Sequence, residues 1–586
     1  MKKRGPTVLI ILFIAGCAAV LYWLYIPNSK TVPAFDEGTT SLVVGGDIVT
    51  SRVSPEIVDE QILLPLDLVK KYFDPNIYWD GKAKKVTITT RDKVIRMKTE
   101  SLSALINNKP VSLNIPVSEK GGTVLIPIEF LSDFYNIKTT YIKENNVIVI
   151  DYKNSPIQLA RPISEKAVMR NGRSIHNPIV KNMGTRGGEA GDAALRIFGE
   201  YDRWYKVRAS DGTVGFIEKR FVSVSPPVVP EAPATDTSTP PWKPAKGKIN
   251  LVWEFDYGEG PDVSKIKKMD GLDVVSPTWF HIADEKGNIS NRADIKYVNW
   301  AHKNGYKVWA LLNNDVSPAT TGKFLNNTDV RDYIMRQVLS YASLYKLDGI
   351  NIDFENINVG DKDALTQFVR EITPLLKNQG LVVSMDVGVP DGSENYSLCY
   401  DFKALGQIVD YIMLMAYDQH WTSSPQAGST AQITWVEQKL KKTLQSVPQQ
   451  KLILGLPFYT RLWKEDTGKD GKTTVTCLKS LSMEDSKKLV EDNHVQAKWD
   501  EESGQFYAQY EKDNSIYKIW LEDENSINLK SSLVQKYGLA GAASWRRNFE
   551  TPSIWEVLNK NLKGISSYQE WIAANGGKKY SYNPLN

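Results

Sequence analysis

From Lys248 to about residue 560, short apolar runs recur at intervals that leave room for a helix between them. They are Ile249–Phe255, Val274–Phe280, Lys307–Leu312, Gly349–Phe354, Val382–Val387, Tyr411–Tyr417, Leu452–Pro457 and Gly541–Trp545. Continuous rather than alternating apolar runs suit strands buried on both faces. Residues 329–345 and 361–377 instead carry apolar positions at helical spacing. Eight strands with helical crossovers predict an α/β catalytic domain, a (β/α)8 TIM barrel over residues 248–565. The stretch from about Lys464 to Lys530 is too long for one crossover, so a small α+β insertion is expected between the seventh and eighth strands. An open doubly wound sheet is the alternative, but no GxGxxG phosphate loop supports it.

The front half has a different pattern. Ile62-Leu-Leu-Pro-Leu-Asp-Leu-Val-Lys-Lys-Tyr-Phe73 is echoed by Val124-Leu-Ile-Pro-Ile-Glu-Phe-Leu-Ser-Asp-Phe-Tyr135. Alternating segments follow each copy, Lys85–Thr90 and Asn146–Asp151. Each unit reads as a proline-started short helix and then a strand pair, so 40–153 is a repeated α+β domain. It resembles the stalk domain named after the N-terminal domain of copper amine oxidase. Trp79-Asp-Gly-Lys82 is first of all a hairpin turn, with a binding loop as the other reading. Residues 157–224 carry short strands between Gly- and Asn-rich turns and predict a small all-β barrel. Trp204-Tyr-Lys-Val-Arg208 with Asp211-Gly-Thr-Val-Gly-Phe-Ile217 is similar to a bacterial Src-homology-3-like domain, a resemblance that implies a wall-binding module. Residues 225–247, rich in Pro, Thr and Ala, predict an extended spacer with no core of its own.

The first 30 residues are a targeting element. Lys2, Lys3 and Arg4 precede an apolar run from Val8 to Ile26 that ends in Tyr22, Trp23 and Tyr25. Such a run can span a bilayer once, with its basic flank cytoplasmic. A lipoprotein box at Ile14–Cys17 and a cleaved signal are the competing readings. All three export the rest of the chain, and the first places it at the cell membrane facing outward.

Composition narrows the partners. The 586 residues carry a net charge of only +4, which argues against nucleic acid. The 27 Tyr and 16 Trp include candidates for stacking on sugar rings. Five scattered histidines lack ligand spacing, so neither a metal nor another cofactor is expected. Of three cysteines, Cys399 and Cys477 are the only possible pair outside the N-terminal run.

The fourth strand holds the chemistry. Alternation puts Asn351, Asp353 and Glu355 on one face and Ile350, Ile352 and Phe354 on the other. Acids at the C-terminal end of a barrel strand are costly unless used. Leu347-Asp-Gly-Ile-Asn-Ile-Asp-Phe-Glu355 resembles the Asp-Gly-x-[Asp/Asn]-x-Asp-x-Glu signature of glycoside hydrolase family 18. Met415-Ala-Tyr-Asp418 is similar to the family's Met-x-Tyr-Asp. The resemblance implies a glycosidase for glycans containing N-acetylglucosamine, with Glu355 as proton donor and no protein nucleophile. Asp353 would hold the substrate's acetamido N–H, and Tyr417 its carbonyl. Trp545, ending the eighth strand, would floor the sugar site, with Met415 and Asp418 beside it.

Glu254 and Trp279, ending the first and second strands, are further candidates for the cleft. Asp348 is off-face and reads as structural, while Arg546 and Arg547 could meet acidic peptide stems. Asn351 stands where chitinases more often have Asp, which tilts the resemblance towards the branch acting on peptidoglycan. An amide there cannot share a proton with Asp353, so weaker coupling is expected. A chitinase and a non-catalytic glycan-binding protein remain the alternatives.

Overall fold

The computed structural model describes residues 12–14, 26–36, 38–184, 194–230, 240–258, 260–469 and 471–576. Most of the expected anchor lies outside these residues, and among those described no helix is long and apolar enough to cross a membrane. The chain divides into two units. One comprises Met1–Ile77, Val86–Ile88 and Ile95–Ser238, and the other Tyr78–Lys85, Thr89–Val94 and Thr239–Asn586.

In the second unit eight parallel strands close into a TIM barrel. In ring order they are Ile249–Glu254, Val274–Pro277, Lys307–Asn313, Gly349–Asp353, Val382–Val387, Tyr411–Leu414, Leu452–Pro457 and Gly541–Trp545. The eighth pairs back onto the first through Ile249↔Gly541, which completes the ring. The period of two sorts each strand into two cores. Leu251, Trp253, Trp309, Leu311, Tyr411 and Met413 fill the interior. Ile350, Ile352, Phe354, Val383 and Met385 pack outward with the helices.

Sequence and structure differ at three places here. The second strand stops at Pro277, whose ring removes a ladder donor, and Phe280–Ile282 restarts as a hairpin with Ile289–Asn291. The insertion runs from Tyr459 to Leu521, where 464–530 was expected. It is a five-stranded antiparallel sheet with one helix, Met483–Asp492. Lys530 belongs to the helix Glu524–Lys536 that follows, started by a capping box at Asp523 and Ser526. The proline-rich spacer is not free of a core at its end. Trp242 lies edge-on to Trp309 at 5.9 Å, and its carbonyl accepts a 2.6 Å bond from the Tyr411 hydroxyl. Cys399 and Cys477 are both free.

The turn after Trp79 is a hairpin turn with a structural role. The Asp80 carboxylate takes the amides of Lys82 and Ala83. It also accepts from the N–H and hydroxyl of Thr328, the first residue of the helix Thr328–Tyr345.

In the first unit the repeat is visible as paired strand–helix steps. Gln61–Pro65 runs into the helix Leu66–Tyr72, and Thr123–Pro127 into Ile128–Leu131. The two strands pair antiparallel, Ile126 opposite Leu64. Each proline ends its strand and caps the helix, so its missing N–H is not needed by either. Seven strands, the first Leu159–Pro162 and the last Val222–Val224, form one sheet around Ala160, Met169, Leu195, Val207 and Ile217.

Candidate functional site

Where the fourth strand ends, the backbone is clamped from both sides. Buried Asn314 accepts from the Glu355 N–H at 3.0 Å and donates to the Glu355 carbonyl at 2.8 Å. The buried Tyr400 hydroxyl donates to the Phe354 carbonyl at 2.8 Å. Asn356 then takes a left-handed φ of 49°, which turns the chain away after Glu355. The strand's outward apolar residues and this clamp together leave Asp353 and Glu355 half-buried at the C-terminal mouth of the barrel.

Their environment favours protons. Burial, and then the charge of Asp418, raises the Glu355 carboxyl to about 7. The Asp353 carboxyl is pushed well above its usual range by burial, then by Glu355 and Asp386. The weaker coupling expected from Asn351 is thus met by a different neighbour. Asp386, on the inward face of the fifth strand, accepts from Asn351 Nδ2 at 2.6 Å. Asn351 Oδ1 accepts in turn from the Ser384 hydroxyl at 2.7 Å. Asn313, level with Asp353 on the third strand, bonds the His281 ring.

The sixth strand ends at Leu414, three residues before Tyr417. The Met415 N–H still bonds the Val387 carbonyl, which carries the half-buried Met415 and Tyr417 up to the mouth. The Tyr417 hydroxyl is held protonated by burial, then by Tyr459, Asp386, Glu355 and Asp353. Close packing here requires Gly455 on the seventh strand. A Cβ at that position would lie 2.5 Å from the Leu414 carbonyl and 3.1 Å from the Tyr417 ring. Asp418, exposed and at φ 59°, is paired by Arg461 at 2.6 Å and by the Tyr459 hydroxyl. Both partners come from the first strand of the insertion, and neither Arg461, Tyr459 nor Asp386 was singled out from the sequence. Strand alternation carries the signal, because Pro457, Tyr459 and Arg461 share one parity and Ser384 and Asp386 another.

Trp545 is half-buried at the end of the eighth strand, 6.1 Å from the Trp253 ring and 6.3 Å from Phe255. Two expected cleft residues are elsewhere. Trp279 is 1% exposed, edge-on to Tyr297 in the helix-side core. Glu254 is buried and bonded by Arg547 through two guanidinium nitrogens and by the Tyr297 hydroxyl. Its parity explains this, since Ile249, Leu251 and Trp253 face inward and the next residue must face out. Arg547 is therefore spent on Glu254, and Arg546 stacks over Phe549 at 3.9 Å. Neither guanidinium is open to a peptide stem. Asp348 binds the Val308 N–H, Lys307 and His302, a structural role. Among the described residues no cluster of three His, Cys, Asp or Glu could hold a metal ion.

Comparison with known proteins gives the family of this domain. The family model for glycosyl hydrolases family 18 matches residues 256–550, half of the chain, and that for the copper amine oxidase N-terminal domain matches 43–150. The uncharacterized glycosylase YvbX of Bacillus subtilis is 25% identical over 290 residues, covering 48% of this chain and 82% of that protein. The cortical fragment-lytic enzyme of Bacillus anthracis is 26% identical over 257 residues, covering 43% of this chain and only 58% of its own length. The solved spore cortex-lytic enzyme SleL of Bacillus megaterium is 21% identical, with 57% of this chain and 79% of that chain covered at a TM-score of 0.49. With half of its length matched, a copper amine oxidase N-terminal-like domain ahead of it and a closed barrel bearing the acid, the chain is a glycosidase that belongs to glycosyl hydrolases family 18.

Proposed function

We propose that the chain hydrolyses β-1,4 linkages of N-acetylglucosamine-containing glycans outside the cell, peptidoglycan in preference to chitin, by substrate-assisted retention. The observation that carries this reading is the acid ending the fourth strand. A carboxyl near 7 keeps its proton at neutral pH and can still release it. Glu355 protonates the leaving glycosidic oxygen. As that C–O bond breaks, the substrate's own acetamido oxygen bonds to the anomeric carbon and gives an oxazolinium ion. Water then opens the ring, Glu355 takes back a proton, and the configuration is retained. Asp353 accepts from the acetamido N–H, and the protonated Tyr417 hydroxyl donates to its carbonyl. Trp545 offers an apolar floor, with Asn351, Met415 and Asp418 supporting the pocket.

Asn351 and the similarity to a cortical fragment-lytic enzyme favour peptidoglycan. Similarity to the human di-N-acetylchitobiase, 24% identical over 306 residues, favours chitin as the second reading. The basic start and the apolar run to Ile26 support a chain held at the membrane, and the strand pattern of 157–224 supports a wall-binding module. The full-length chain, incubated with peptidoglycan and with chitin oligomers and followed by mass analysis, tests the reading. New reducing ends from peptidoglycan are expected. Release from chitin alone would make it a chitinase, and tight chito-oligosaccharide binding without turnover at any pH would overturn hydrolysis.

A further inference from the structure

The fifth strand carries an acid that the fourth-strand motif does not announce. Asp386 is 2% exposed and shares its parity with Val382, a residue of the barrel interior. Val383, Met385 and Val387 take the helix side. One of its oxygens is used, because Asn351 donates to Oδ2. The Ser384 hydroxyl donates to Asn351 Oδ1, and the amide's Nδ2 faces the acid. A carboxylate at 351 would set two acids against each other at this spot. The amide makes the contact a donor–acceptor pair.

The other oxygen, Asp386 Oδ1, is buried without a hydrogen-bond partner among the described residues, and so is Asp353 Oδ1. Pairing of Asn351 with Ser384 and of Ile352 with Met385 brings Asp353 level with Asp386 on the adjacent strand. Two buried acceptors without donors are costly, and one proton placed between them satisfies both. The groups facing the pair are Glu355, Tyr417, Tyr400 and Trp253, all acidic or neutral. The Trp253 indole is close enough to favour the Asp386 carboxylate, but its N–H makes no hydrogen bond of ordinary geometry. Burial and like charge therefore hold both carboxyls well above the usual aspartate range.

We propose that Asp386 is a positioning residue for Asp353, the two carboxyls sharing one proton across the fourth and fifth strands while Asn351 fixes Asp386 in place. The acid missing at position 351 is thereby supplied from the next strand. The inference rests on the substrate-assisted reading above. When the substrate's acetamido N–H arrives, the shared proton passes to Asp386, and Asp353 accepts the N–H as a carboxylate facing the developing oxazolinium charge. The proton returns when product leaves, so the pair neither gains nor loses one over the cycle.

Two measurements test it. In the first, Asp386→Asn lowers kcat at least roughly tenfold with KM within about threefold, because only the reacting state is affected. Adding Asn351→Asp returns the carboxyl to the fourth strand and recovers most of that loss, a rescue that a merely structural role would not give. The second needs no substrate. In the Glu355→Gln chain, the infrared band of the protonated carboxyl is followed against pH. Its midpoint falls by at least about one pH unit on adding Asp386→Asn, since a like charge is removed, and rises again with Asn351→Asp. A native kcat in Asp386→Asn, or a midpoint that does not move, would overturn the proposal. If the native chain cleaves no glycan, the functional reading fails while the infrared midpoint still judges the shared proton.

Discussion

Replacing Glu355 by Gln keeps the side chain's shape and takes away a proton that can be released. Burial and the Asp418 charge hold this carboxyl at about 7 against an ordinary 4.5. A folded value above the unfolded one means that the fold binds the proton more tightly. Its contribution to stability is whole below about 4.5 and is lost as pH rises through about 7. Once the carboxylate has formed, the displacement costs the native chain up to ~3 kcal/mol. Glutamine never ionises and escapes that cost. The Glu355→Gln chain should match the native one near pH 4.5 and exceed its stability at pH 8 by up to ~3 kcal/mol. Loss of a general acid should meanwhile lower hydrolysis by about 10²–10⁴. Thermal melts of the catalytic unit at several pH values, with release of reducing ends on the same samples, read both effects. A melting offset that is the same at pH 5 and pH 8 would mean that Glu355 ionises like a surface carboxylate, and its assignment as donor would fall.

The two arginines that lock acids near the mouth give further outcomes. Arg461→Ala leaves the Asp418 charge uncompensated, so the Glu355 carboxyl rises further and the alkaline limb of kcat/KM moves to higher pH. A limb that stays or moves down would refute the coupling. Arg547→Leu strands Glu254 as a buried charge and should cost about 3–5 kcal/mol in denaturant unfolding, part of which Glu254→Gln restores. Unchanged stability would return Glu254 to the list of cleft residues.

What could be read in advance followed the range of the interaction that decides it. Strand alternation is local, so the inward trio of Asn351, Asp353 and Glu355 and its apolar counterface were legible from nine residues of sequence. The ring of eight strands followed from spacing alone. Glu254 and Trp279 lie at or just past strand ends, but the alternation Leu251, Trp253 already turns Glu254 outward, and a strand end alone does not place a side chain in the cleft. Asp386 needed the same rule on the fifth strand. Its meaning, however, comes from a cross-strand bond to Asn351, which register sets and local pattern does not. Arg461 was harder still. Its charge acts on a residue 43 positions earlier, and only the folded insertion brings the two together.

That last arrangement separates who makes the acid from who tunes it. The barrel supplies Glu355 and Asp418, while Arg461 and Tyr459 enter from a sheet added between its seventh and eighth strands. Substitutions in the added sheet can therefore move the pH at which the acid works without touching a barrel strand or a sugar. A lineage adapting to a more acid or more alkaline medium has an independent place to do it, and an engineer does too.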